Sequence, residues 1–82
     1  MQTIMLDGRQ YASSAEVYDA LSRMLNLPEY FGRNADALND CLPERPSPVS
    51  LWILDEGKDD VSRCLSLISR VITDNGGTVT NL

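Results

Sequence analysis

"LPEYFGRNADALNDCL", residues Leu27 to Leu42, decides how this chain is read. Pro28 and Gly32 make residues 26 to 32 a loop, and Asn34 is a good N-cap for a helix running to about Leu42, where Pro43 stops it. On that helix Ala35, Leu38 and Leu42 form one stripe, while Asp36, Asn39 and Asp40 project on the opposite side. Asp36 sits in the first turn, where the helix dipole favours a carboxylate. Asp40 sits in the last turn, where the dipole opposes one, and like charges four apart cost about 0.2–0.5 kcal/mol. Glu29 and Tyr30 precede the helix and Glu44 follows it, so residues 29 to 44 carry four acids against one base, Arg33, for a local charge of −3. Spacing alone leaves two readings of this patch equally open, a solvated face and a functional one.

Upstream, "TIML" at 3 to 6 is apolar and ends at the turn dipeptide Asp7-Gly8, which predicts a short buried strand. Ser13 with Glu16 forms a capping box, and Val17, Leu21, Met24 and Leu25 recur at helical spacing, predicting a helix over 14–25. Downstream, "PERPSP" at 43 to 48 is expected to be stiff and extended, followed by a buried strand, "VSLWIL", at 49 to 54. Val61, Cys64, Leu65, Ile68, Val71 and Ile72 then mark a long helix that ends at Asn75-Gly76-Gly77, and "TVTNL" at 78 to 82 is the last strand. The acids Asp55, Glu56, Asp59 and Asp60 lack the alternation of a calcium loop and have Lys58 among them. They read as charges serving the start of the long helix. The order β-α-α-β-α-β implies an α/β fold with a small parallel sheet and right-handed crossovers.

With 82 residues the chain is expected to be one domain, 1–82. Seven Lys and Arg against twelve Asp and Glu leave a net charge of −5, which disfavours nucleic acid and anionic lipid and suits a basic partner. No apolar run approaches a membrane span, and Met1 to Leu6 do not resemble a signal peptide, so a cytoplasmic location is expected. Cys41 and Cys64 then read as reduced, buried thiols. There is no His, no base beside any Ser, and no glycine-rich loop opening a helix. We therefore expect no catalytic residue, metal or cofactor, and no enzyme activity.

The combination Leu-Pro-Glu-Tyr-Phe-Gly, then Asn34, then Asp36-Ala37-Leu38, then Asp40-Cys41-Leu42 resembles the barstar family of intracellular inhibitors of barnase-type ribonucleases, with "MLDGRQYASSAEVYDALSRMLN" leading into it. The likeness is close between about residues 4 and 42 and fades beyond. It implies a three-stranded parallel sheet packed with helices, and inhibition by blocking a ribonuclease active site with an acidic helix face. The residues it assigns to the partner are Tyr30, Asp36 and Asp40, with Asp40 standing in for a substrate phosphate against the enzyme's basic groups, and Asn39 and Glu44 on the same patch complete the candidate partner-binding set. The implied partner is a basic, extracellular-type ribonuclease or related toxin, the inhibitor being a monomer when free. The chain departs from the family where Asn39 replaces a frequent Trp, where Pro43, Glu44 and Arg45 replace a loop of small and aromatic residues, and where Val71 and Asn75 replace acids. These departures point to a related but different ribonuclease or another basic toxin. The competing expectation is an acidic interaction domain of the same fold that inhibits nothing.

Overall fold

Along β1 (Gln2–Asp7) and β2 (Val49–Asp55) burial alternates with period two, placing Ile4, Leu6, Val49, Leu51 and Ile53 on the inner face. Met5, Trp52 and Leu54 stand on the other, exposed face. The computed structural model of the chain describes residues 2–82. Between the strands lie α1 (Ser14–Leu25) and α2 (Ala35–Cys41), and α3 (Asp59–Asp74) leads to β3 (Thr78–Asn81). The sheet has the order β1-β2-β3, parallel throughout, with Ile4 opposite Leu51 and Leu51 opposite Val79. Crossovers of one hand between successive neighbouring strands put their helices on one side of a sheet, and the one-sided burial here agrees. The β-α-α-β-α-β order and the three-stranded parallel α/β sheet expected from the sequence are therefore present.

The core joins the inner sheet face to Val17, Leu21 and Leu25 of α1, Leu38 of α2, and Val61, Leu65, Ile68 and Ile72 of α3. Leu38 is 0% exposed, which fixes the short α2 against its surroundings. Gly77, just before β3, meets the sheet so closely that a Cβ there would lie 2.3 Å from the Val49 carbonyl oxygen and 2.6 Å from Ile72 Cγ2. Only glycine permits that approach. Cys41 and Cys64 are both buried free thiols.

Four local expectations need correction. Met24 is 38% exposed and Tyr18 takes its place on the buried face of α1, meeting Phe31 edge-on with ring centroids 6.0 Å apart. The capping box is displaced: Ser13 Oγ accepts from the Glu16 N–H, but the Glu16 carboxylate accepts from the Ala12 N–H at 2.6 Å, one residue earlier than a standard box. "PERPSP" is not extended throughout, because Leu42–Glu44 form a 3-10 turn that prolongs α2, a turn that tolerates Pro43 at its start. The acids at 55 to 60 do not all serve α3. Asp60 accepts from the Ser14 N–H at 2.8 Å and so caps α1, and Asp55 accepts from the Gly57 N–H at 2.8 Å.

Asn34 does cap α2, its Oδ1 accepting from the Ala37 N–H at 2.7 Å. Asn34→Ala is expected to cost about 1 kcal/mol in thermal or denaturant unfolding. An unchanged midpoint would mean α2 is held by packing alone. The contact with Ser14 holds the Asp60 carboxyl below its ordinary 3.8, with the backbone hydrogen bond as the largest cause. A folded pKa below the unfolded one gives stability that is present above pH 3.8 and lost as pH falls through the folded pKa. The acid limb of the stability curve should therefore be shallower in Asp60→Asn than in the native chain, and superimposable limbs would show that the contact contributes nothing.

Candidate functional site

The loop from Asn26 to Arg33 begins and ends on left-handed residues, Asn26 at φ 51° and Arg33 at φ 53°. Asn26 closes α1 and tolerates that conformation, whereas Arg33 is a non-glycine residue held there at some cost. Its side chain accounts for part of the constraint, because Arg33 Nε lies 2.7 Å from Asp19 Oδ1 on α1. The turn aims the chain into the Asn34 cap, and the loop carries Tyr30 at 76% exposure. A large ring so fully presented gains nothing from the fold.

On α2 the inward side is Leu38 and Cys41, with Ala35 and Ala37 half-buried, and Asp36, Asn39 and Asp40 are exposed as the spacing predicts. The 3-10 turn carries the helical rod on to Glu44, so Asp40 and Glu44 both stand at its carbonyl end with no basic residue in the last turn. Among the described residues, Glu29, Asp36, Asp40 and Glu44 make no side-chain hydrogen bond and no ion pair. Their field is felt inside: the Cys41 thiol is pushed up by burial first, and then by Glu44 and Asp40.

Both cations of this region are withdrawn from the face. Arg33 is paired with Asp19, and Arg45 is turned toward α1, with Nη1 donating to the Leu25 carbonyl at 2.7 Å and Nη2 donating to Gln2 Oε1. Gln2 Nε2 in turn donates to the Met24 carbonyl at 3.0 Å, so two side chains close the C-terminal carbonyls of α1. Arg45 is thus removed from the surface on which it would repel a basic partner.

Asn39 is reached by Asn75 from the end of α3, whose Nδ2 donates to Asn39 Oδ1 at 2.9 Å and to the Val71 carbonyl at 2.8 Å. Asn75 therefore belongs to this face although spacing gave it only the role of helix terminator. No sequence signal joins positions 39 and 75, which meet only because α2 packs on α3. A cavity of about 590 Å³ opens elsewhere, beside Arg9, Tyr11, Asp55 and Lys58 at the carboxyl ends of β1 and β2. The order β1-β2-β3 has no reversal, so that end is not the switch-point crevice at which open α/β sheets take ligands. Among the described residues no group of three or more His, Cys, Asp or Glu could hold a metal ion, and no helix is long and apolar enough to cross a membrane.

Comparison with known proteins places the sequence beside a known family. The family model described as "Barstar (barnase inhibitor)" covers residues 1–66, which include β1, α1, α2, β2 and the first half of α3. The "Putative ribonuclease inhibitor YrdF" of Bacillus subtilis (strain 168) is 45% identical over 42 residues, 51% of this chain and 46% of that protein. The match therefore spans about half the length of that curated relative. With the family model covering well over half of the residues, the chain belongs to the barstar family.

Proposed function

We propose that this chain inhibits a basic ribonuclease of the barnase type, as the immunity partner of that toxin, by laying the outer face of α2 over the enzyme's active site. The observation that carries this reading is the set of four carboxylates, Glu29, Asp36, Asp40 and Glu44, exposed and without partners among the described residues, beside a Tyr30 that faces solvent. Ionised carboxylates are pure acceptors, and an enzyme that binds RNA phosphates offers Arg and Lys donors spaced for such acceptors. Asp40 takes the place of a phosphate, and Asp36, Glu29 and Glu44 extend the field that brings the enzyme in. Tyr30 supplies the aromatic contact, an amphipathic ring with a polar tip. In this reading the chain works as a cytoplasmic single-domain monomer, with no cofactor and no catalysis of its own.

The neutral Asn39–Asn75 pair favours a second, narrower reading. Resemblance to the family leads to Trp or acids at these positions, and an amide pair engages a differently shaped partner surface. The target is then a related ribonuclease or another basic toxin rather than barnase itself.

The test is titration against small, secreted, basic ribonucleases while RNA cleavage is followed. Inhibition saturating at one-to-one stoichiometry is expected for the cognate enzyme, and no inhibition of any basic ribonuclease would leave the acidic interaction domain as the better account. Asp40→Ala should separate binding from folding. It relieves an adverse dipole and a like-charge neighbour, so stability should hold or rise by a few tenths of a kcal/mol. Binding should weaken by about 2 kcal/mol or more, because enzyme cations are left desolvated and unpaired. Asp36→Ala should weaken binding less and cost some stability, since that carboxylate suits the helix start. An Asp40→Ala chain that melts earlier yet inhibits as before would make Asp40 a structural residue.

A further inference from the structure

The Val71 carbonyl can only accept a hydrogen bond, so the side-chain atom of Asn75 that meets it at 2.8 Å has to be the amide nitrogen Nδ2. The same Nδ2 lies 2.9 Å from Asn39, which answers with its own oxygen, Oδ1. One main-chain carbonyl in the last turn of α3 thus fixes the direction of two side-chain amides in series. Both hydrogens of Asn75 Nδ2 are spent, and Asn39 Oδ1 is turned to α3. A carboxamide carries its oxygen and nitrogen on opposite sides, which turns Asn39 Nδ2 away from α3, on an exposed residue. Among the described residues that nitrogen donates to nothing, neither to Asp36 one turn earlier nor to Asp40 beside it.

We propose that Asn39 is the specificity-determining donor of the acidic face, and that it takes an acceptor oxygen, a carboxylate or a main-chain carbonyl, set within the otherwise basic surface of the ribonuclease. The identity of the partner rests on the inhibitor reading above; the direction of the amide does not. Glu29, Asp36, Asp40 and Glu44 offer acceptors only, so every polar contact they make selects a donor such as Arg or Lys. Asn39 asks for the reverse in their midst. An Arg or Lys opposite it sets donor against donor, and a partner with nothing there leaves its N–H groups desolvated and unpaired. Basic enzymes are therefore sorted by whether they carry that oxygen, a discrimination that uses mismatch as well as attraction. Asn75 acts through Asn39 and is a positioning residue. Without its Nδ2 the Asn39 amide is free to turn over, and a face that presents either end no longer tells an acceptor from a donor. Fixing the amide before binding also spares the cost of ordering it in the complex.

The experiment has one arm on the free chain and one on the complex. In the free chain, water exchange of the side-chain amide protons, followed by NMR, should be slowed for Asn75 and near the solvent rate for Asn39. Asn75 protons that exchange as fast as those of Asn39 overturn the fixed amide. In the complex, inhibition constants are measured against the cognate ribonuclease. Asn39→Asp keeps the shape and the oxygen toward Asn75, removes both donors and adds a negative charge. It should inhibit at least about tenfold more weakly. A face governed by charge alone would hold a basic enzyme as tightly or more tightly with the added carboxylate, and that result overturns the proposal. A loss much larger for Asn39→Asp than for Asn39→Ala marks a carboxylate on the enzyme, and similar losses mark a main-chain carbonyl. Asn75→Ala should weaken inhibition when Asn39 is present and change nothing in an Asn39→Ala background. Equal losses in both backgrounds would make Asn75 a support for the end of α3 alone and overturn its positioning role. If the exchange rates are as expected but no ribonuclease is inhibited, the fixed donor stands and the inhibitor reading alone fails.

Discussion

A helix of seven residues does not hold itself in water, where stretches shorter than about 12–15 residues are marginal, so α2 exists only because tertiary packing holds it. Three features supply that hold: Leu38 at zero exposure with Cys41 and Leu42 beside it, the Asn34 cap, and the 3-10 turn that carries the rod to Glu44. Each also sets the outward side. Burying Leu38 and Leu42 compels Asp36, Asn39 and Asp40 to face solvent, because a helix that fixes one stripe fixes its opposite. The acidic face is a consequence of the core, and the packing of α2 on α3 is the constraint on which both depend.

The same packing sorts the charges. Arg33 is drawn to Asp19 and Arg45 toward the carbonyl end of α1, leaving acids on α2 with no cation among them. At the other end of the sheet three acids are used internally, Asp60 on Ser14, Asp55 on Gly57, and Asp7 on Arg9 at 2.9 Å, while Glu56 and Asp59 stay exposed. Carboxylates thus have different standing: Asp7, Asp55 and Asp60 complete the fold, and those on and beside α2 make no bond within it among the described residues.

Helix α1 was legible to the residue because Ser13 marks its start and the apolar spacing runs out at Leu25 before Asn26. The strands were legible because "TIML" and "VSLWIL" are bounded by turn residues, and the order of elements then leaves few topologies. Asp36, Asn39 and Asp40 could be placed on the exposed side from helical phase, and Tyr30 and Glu44 only as flanks of the helix, while the assignment of Tyr30, Asp36 and Asp40 to a partner came from the family resemblance. Arg45 stands in the sequence only as a departure from the family's loop, whereas its guanidinium closes α1, a contact across 20 positions that no local rule foresees. Asp60 does stand in the first turn of α3, but its bond to Ser14 was hidden for the same reason, since that partner lies 46 positions away. Pro43 suggested a sharp stop, but proline at the start of a 3-10 turn is accepted, and the rod continues one turn longer.

The central claim is that the carboxylates left without partners on α2, rather than the total charge of −5, draw in and hold a basic enzyme. Its most direct measurement is the rate of association with the cognate ribonuclease as a function of ionic strength, for two variants of equal net charge: Asp36→Asn with Asp40→Asn, and Glu56→Gln with Asp59→Asn. Charge steering is screened over about 10 Å at 0.1 M salt, so the rate should fall steeply with salt in the native chain. The α2 variant should associate more slowly with a flattened slope, and the 56/59 variant should keep nearly the native rate and slope. Equal effects from the two pairs would mean that overall charge does the steering and that the face on α2 has no special part in it.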